Sequence, residues 1–144
     1  MSRCSIISFR FGPTDGVSVV ARNWADALHQ MGFDVHWVAG GFEPGWHANG
    51  ATTVVPGLGI DDDGPPDPSE LATALAGADL VVVENLCTIP LNPVAAHAVA
   101  EVLRGRPAVL HHQDPPWQRE RFAHVTDLPP DDPAWRHVTI NDLT

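Results

Sequence analysis

Three short polar segments follow apolar runs and carry the residue types that could bind a small molecule. They are GPTDG at positions 12–16, EN at 84–85 and HHQD at 111–114. Apolar runs that end in polar residues are typical of strands in a buried parallel sheet, and ligands of such sheets gather at the carboxyl ends of the strands. We therefore expect the three segments to share one edge of the fold and to form one site.

The first segment is a turn that leads directly into an amphipathic helix. A helix N-terminus presents unpaired amides and a partial positive charge that suit a phosphate or a carboxylate, and Gly16 would let a ligand approach the backbone closely. The glycines match neither G-x-G-x-x-G nor G-x-x-x-x-G-K-S/T. A purely steric role for Gly12 and Gly16 in the turn is the alternative.

The second segment, Glu84 and Asn85, stands where a strand ends. Side chains of these types accept and donate hydrogen bonds, which suits a ligand rich in hydroxyl groups. The alternative for Asn85 is structural, because an asparagine in this position can cap the loop by bonding to local backbone.

The third segment contains His111, His112 and Asp114, all residue types that bind metals. Adjacent residues on a strand point to opposite faces, so the histidine pair is poorly placed to hold one ion, and no H-x-x-x-H pattern or cysteine partner accompanies it. We predict a ligand-binding histidine and no metal; a histidine bonded only to backbone is the alternative. With no G-x-S-x-G motif and no cysteine beside a histidine, no catalytic residue is predicted.

Alternating strands and helices position these segments. Asp67-Pro68 and Asn92-Pro93 predict helix starts, because a capping side chain followed by proline is typical of a helix N-terminus. The pattern predicts an α/β protein with a Rossmann-like three-layer α/β/α fold, a mainly parallel sheet and a single domain over 1–144. The predicted strands are 4–9, 33–39, 51–57, 79–85, 107–114 and 135–141, and the predicted helices are 17–31, 69–76 and a third that begins at Pro93.

Composition narrows the classes of partner. The formal net charge is −10, which disfavours binding to nucleic acid or to anionic lipid. The apolar part of the opening MSRCSIISF is shorter than expected for a signal peptide, no apolar run approaches the length of a spanning helix, and Cys4 and Cys87 form no C-x-x-C motif. We expect a cytoplasmic protein with reduced cysteines, no membrane insertion and no nucleic-acid partner.

Longer motifs resemble family 4 glycosyltransferases. The stretch DGVSVVARNWADALHQMGFDVHWVAG is similar to the opening of that family, and ENLCTIPLNPVAAHAVAEVL, RPAVLHHQDPPWQRERF and HVTIN are similar to a bacterial subgroup. The resemblance implies one half of a GT-B architecture, the acceptor-side domain of a transferase that retains anomeric configuration. It also implies a nucleotide-sugar as co-substrate, no other cofactor and no metal.

The resemblance assigns roles to individual residues. It implies that the turn at Gly16 lies against the donor phosphates or the acceptor, and that the strand-end histidine, His112, approaches the transferred sugar with Gln113 and Asp114. Glu84 and Asn85 are then expected at acceptor hydroxyls. Relatives usually have histidine where this chain has Gln113, which can keep a hydrogen bond but cannot carry a proton.

The paired glutamates of the family's donor half, separated by seven residues, are absent from this sequence. We therefore expect the C-terminal donor-binding domain to be missing from the chain, which would be a truncated piece or one subunit of a split transferase, inactive alone. The expected partners are a small soluble acceptor and a donor held by a second domain or partner subunit, and an exposed docking face would allow homo-oligomers. A non-catalytic Rossmann-like binding or interaction module is the main alternative, and the missing G-x-G-x-x-G motif disfavours an oxidoreductase.

Overall fold

Six strands alternate with three helices in the computed structural model, which describes residues 2–140. The last strand ends at Thr139, and Asn141, to which it was predicted to extend, lies outside the described residues. Two short 3₁₀ turns, Pro116–Gln118 and Glu120–Phe122, follow the fifth strand. The elements are β1 (Arg3–Ser8), α1 (Gly16–Gln30), β2 (Asp34–Ala39), β3 (Ala51–Val54), α2 (Pro68–Leu75), β4 (Leu80–Glu84), α3 (Pro93–Leu103), β5 (Ala108–His112) and β6 (Trp135–Thr139).

The six strands form one sheet in the order β3-β2-β1-β4-β5-β6, and every neighbouring pair is parallel. The chain builds outward from β1 in one direction and then, from β4 onward, in the other. This order is that of a Rossmann-like fold, in which the ligand crevice lies where the direction reverses. The predicted fold class is confirmed.

The predicted helix starts are also confirmed. The Asp67 carboxylate accepts from the backbone N–H of Ser69, and the Asn92 side chain accepts from that of Ala95. Pro68 and Pro93 occupy the first turns of their helices, where no intrahelical N–H donor is needed.

Helices cover both faces of the sheet and divide the core in two. One cluster packs α1 on the sheet through Ala21, Ala25 and Leu28, and its sheet residues include Cys4, Ile6, Val82 and Trp37. The other packs α2 and α3 on the opposite face, where the buried residues include Ile7, Val83, Leu110, Leu71 and Val99. Because side chains alternate along a strand, β1, β2 and β4 each supply both clusters, whereas β6 supplies Trp135 to the second one only.

Except for β2, the predicted strands are longer than the observed ones at their carboxyl ends. Asn85 has φ 63°, a left-handed conformation that cannot continue β4, and Gly57 has φ 99° in the turn after β3. β5 ends at His112, so Gln113 and Asp114 belong to the loop that follows. The polar residues singled out above therefore lie at strand ends or just beyond them.

No helix within residues 2–140 is long and apolar enough to cross a membrane.

Candidate functional site

A cleft of about 170 Å³ opens at the carboxyl ends of β1 and β4, where the strand order reverses. Larger grooves lie over the outer side of α1 and beside Arg3 at the amino end of β1. We place the candidate site at the smaller cleft because ligands of this fold bind at the reversal point. Its lining residues are Ser8, Phe9, Arg10, Asp15, Val17, Ile60, Asn85, Ile89, Leu91 and Asp114.

The turn between β1 and α1 is held by a side-chain cap. The Asp15 carboxylate accepts from the Ser18 backbone N–H at 3.0 Å and from the Ser18 hydroxyl at 2.7 Å, and the Ser18 Oγ accepts from the Gly12 N–H at 2.9 Å. This geometry ties the loop to the first turn of α1 and places the carboxylate in the cleft. Sequence reasoning missed Asp15, although an aspartate three residues before a serine at a helix start is a recognisable capping signal.

The two glycines of the turn differ in the space around them. A Cβ on Gly12 would lie 2.3 Å from the Glu43 Oε2, which is the end of a flexible and partly exposed side chain that can move aside. A Cβ on Gly16 would meet nothing within 4 Å, and Gly16 is exposed. A side chain at the first position would need the Glu43 carboxylate to shift, whereas the packing of this chain places no limit at the second.

Asn85 bridges the ends of β4 and β5. Its side-chain oxygen accepts from the backbone N–H groups of Gln113 and Asp114, each at 3.1 Å, and its amide donates to the Asp114 carboxylate at 2.9 Å. Arg119 donates to the other Asp114 oxygen. Asn85 is 3% exposed, so these bonds fix the loop after β5 and orient the Asp114 carboxylate beside the cleft.

Glu84, one residue earlier, is fully buried on the α1 side of the sheet. Its Oε2 lies 2.9 Å from the His111 Nδ1 and accepts from the Gln113 amide at 3.2 Å. The indole of Trp24, from α1, covers His111 with 5.2 Å between ring centroids. Glu84 is therefore shielded from solvent, and its carboxylate contacts His111 and Gln113 instead.

His112 faces the opposite side of the sheet and belongs to a chain of hydrogen bonds. Its Nδ1 lies 2.6 Å from the Thr88 hydroxyl, its Nε2 lies 2.8 Å from the His137 Nδ1, and the His137 Nε2 lies 2.8 Å from Asp131. A carboxylate only accepts, so the His137 Nε2 donates; with both rings neutral, His112 then donates to His137 and accepts from Thr88.

Burial is the main cause that lowers the pKa of His112 to about 4, and the neighbouring rings of His137 and His111 add to it. At neutral pH the His112 ring is therefore uncharged, which agrees with the neutral hydrogen-bond chain. The Asp131 carboxyl at the surface end has a lowered pKa, mainly because His137 hydrogen-bonds to it.

Apart from the fully buried Glu84, the sequence-predicted residues thus divide into two groups. The turn at Gly16, Asn85 and Asp114 meet at the cleft, and Gln113 is joined to this group through Asn85. His112 lies on the other face with both ring nitrogens bonded within the fold. Contact of any of these residues with a ligand stays a prediction.

Within residues 2–140, no group of three or more histidine, cysteine, aspartate or glutamate side chains is arranged to hold a metal ion.

Sequence comparison shows a distant relative of this chain. It is 26% identical over 179 aligned positions to the mannosylglucosylglycerate synthase of Thermotoga maritima. The alignment covers 98% of this chain but 40% of that protein, so the chain spans less than half the length of its relative. No protein-family model matches the chain.

The relationship, together with the parallel α/β fold, is consistent with a glycosyltransferase domain. Membership of family 4, the GT-B architecture and a cytoplasmic location stay predictions.

Proposed function

We propose that this chain is the acceptor-side domain of a retaining glycosyltransferase of GT-B architecture. The complete enzyme moves a sugar from a nucleotide-sugar to a small soluble acceptor. The observation that carries the proposal is the alignment of nearly the whole chain with a synthase whose product name joins two sugars to glycerate. The cleft at the reversal point of the sheet supports it independently, because that is where this fold binds ligands.

The electrostatics of the cleft favour an acceptor over a phosphate group. Among the described residues, the backbone N–H groups of Gly16 and Val17 have no hydrogen-bond partner and remain free to bind an oxygen atom. The Asp15 carboxylate lies at the same helix end and accepts hydrogen bonds there. A second anion close to it is repelled, whereas a hydroxyl group can donate to the carboxylate and accept from the amides.

The six predicted residues take different parts in this proposal. Gly16 is exposed and Gln113 and Asp114 are partly exposed, so these three face the ligand. Asn85 and Glu84 are buried and hold the rim in position. His112, with both ring nitrogens bonded, supports the strand end from the opposite face.

The donor half of the cleft comes from a second domain or from a partner subunit, since the chain corresponds to 40% of its relative. Transfer relies mainly on positioning the reactants and on stabilising the departing diphosphate. This chain supplies one side of the cleft only, which is insufficient to position both reactants and to stabilise the diphosphate. We therefore expect the chain alone to bind an acceptor without turnover.

The experiment is a titration of the ¹⁵N-labelled chain with a panel of hexoses, glycerate and hexosyl-glycerates, followed by the backbone amide signals of Gly16, Asn85 and Asp114. Saturable shifts confined to these residues would support acceptor binding. A parallel incubation with nucleotide-sugars and the same acceptors tests activity. Turnover by the chain alone would contradict the proposed division of the enzyme, and no saturable shift with any compound would contradict the acceptor role.

Gly16→Ala provides the sharper variant. The added methyl group clashes with nothing in the fold, and alanine in place of glycine in a helix stabilises it by about 0.5–1 kcal/mol. If a ligand approaches this backbone, affinity should fall while stability is kept or rises. The control is Gly41→Ala, because a Cβ there also meets nothing within 4 Å; Gly41 lines only the adjoining groove, so affinity should change less than in Gly16→Ala.

A further inference from the structure

The Glu84 carboxylate is the least compensated polar group in the described part of the sheet. Its residue is 0% exposed, and its Oε1 is excluded from solvent without a hydrogen-bond partner. A buried carboxylate oxygen without a partner is costly, and such groups are rare in folded proteins. A side chain kept in this state calls for an explanation beyond packing.

The two ring nitrogens of His111 differ in their hydrogen bonding. Its Nδ1 lies 2.9 Å from the Glu84 Oε2. Its Nε2 has no hydrogen-bond partner within residues 2–140. It is nevertheless not among the side-chain atoms that are both fully buried and unpartnered, which are the His29 Nε2 and the Glu84 Oε1. The His111 Nε2 is therefore not completely sealed from solvent, although the residue is 5% exposed and lies beside the Trp24 ring.

Gln113 repeats this arrangement at the edge of the sheet. Its side-chain amide donates to the same Glu84 Oε2 at 3.2 Å, which turns its own carbonyl oxygen away from Glu84. That oxygen also has no partner among the described residues and is not one of the buried unpartnered atoms. One buried carboxylate oxygen thus accepts hydrogen bonds from the side chains of both His111 and Gln113.

We propose that Glu84 is a positioning residue that selects the Nδ1–H form of His111 and the amide orientation of Gln113, so that both present hydrogen-bond acceptors to a ligand. When the Nδ1–H donates to a carboxylate, the Nε2 of a neutral imidazole carries a lone pair. Two acceptors held by one carboxylate suit a ligand that donates hydrogen bonds, as sugar hydroxyls do. The proposal rests on the proposed function, because it names the hydroxyl groups of the same transferase substrates as the ligand.

The experiment measures the protonation form of His111 by long-range ¹H–¹⁵N correlation of the labelled chain at pH 8. The wild type should show the Nδ1–H form. Glu84→Gln keeps an oxygen that accepts from His111 and should retain that form, whereas Glu84→Leu removes the acceptor and should raise the Nε2–H population. Glu70→Leu, at an exposed position on α2, is the matched control and should leave His111 unchanged.

Two results would overturn the positioning role. One is an Nε2–H or doubly protonated His111 in the wild type, and the other is an unchanged Nδ1–H form in a folded Glu84→Leu chain. If Glu84→Leu does not fold, the wild-type measurement alone still decides, because a protonated Glu84 that donates to His111 would enforce the Nε2–H form.

Glucose and UDP-glucose are the probes for the ligand side, and they separate acceptor-like from donor-like sources of the hydroxyl groups. Glu84→Leu should weaken binding of the responding sugar by about tenfold or more, and Glu84→Gln should weaken it by less. Equal affinity in the wild type and Glu84→Leu would contradict the ligand role. A wild type with the expected Nδ1–H form that binds neither sugar would contradict the proposed function while supporting the positioning of His111.

Discussion

Acidification below neutral pH should destabilise this protein through His112. The ring is 4% exposed and bonded at both nitrogens, and its burial lowers the pKa to about 4 from an ordinary value of 6.5. Protonation would place a proton on the His112 Nδ1, the nitrogen that accepts the hydrogen bond from Thr88 in the neutral ring. Because the unfolded chain binds this proton more readily, stability is present above about pH 6.5 and is lost as the pH falls toward 4.

The two pKa values set the size of the effect. One pKa unit corresponds to about 1.4 kcal/mol, so protonating His112 in the folded state costs about 3 kcal/mol more than in the unfolded chain. Linkage then gives a loss of about 2 kcal/mol of unfolding free energy from this residue between pH 7 and pH 5. The buried His36, whose pKa is also lowered, mainly by burial, adds a loss in the same direction.

The assay is urea unfolding followed by tryptophan fluorescence at a series of pH values. His112→Gln should be less stable than the wild type at pH 7, because it breaks the hydrogen-bond chain, but its stability should fall less steeply on acidification. The difference in loss between the two proteins from pH 7 to pH 5 should be about 2 kcal/mol. His124→Gln, at an exposed position, is the control and should follow the wild-type curve. Parallel curves for the wild type and His112→Gln would refute the reasoning.

Two further predictions concern the ends of the strands and the core. Asn85→Ala should lower the free energy of unfolding by about 3 kcal/mol, because alanine loses the bridge to Asp114 and tolerates φ 63° poorly; Asn85→Gly should cost about 1 kcal/mol less, and equal losses in urea titrations would contradict this. Burial raises the pKa of the Cys4 and Cys87 thiols to about 12, so neither should react with a disulfide reagent at mildly alkaline pH until the chain is denatured; rapid reaction of the folded protein would count against it.

The sequence predicted the fold well because its signals are local. The apolar runs, the N-cap and proline pairs at Asp67 and Asn92, and the alternation of strands with helices depend on neighbouring residues and need no long-range information. The observed sheet order and the parallel pairing agree with that pattern. Strand ends were less predictable, because the left-handed backbone of Asn85 is a single-residue event that composition does not reveal.

The sequence also predicted that the three polar segments lie at one edge of the sheet, because each follows a strand and the carboxyl ends of parallel strands are neighbours. Which side of the sheet each residue serves was decided only by the tertiary structure. His111 and His112 are consecutive in sequence, yet one bonds to buried Glu84 beneath Trp24 and the other joins Thr88 and His137 on the opposite face. Their partners lie 24 to 27 residues away, and only the packing of β4, β5 and β6 brings them within bonding distance.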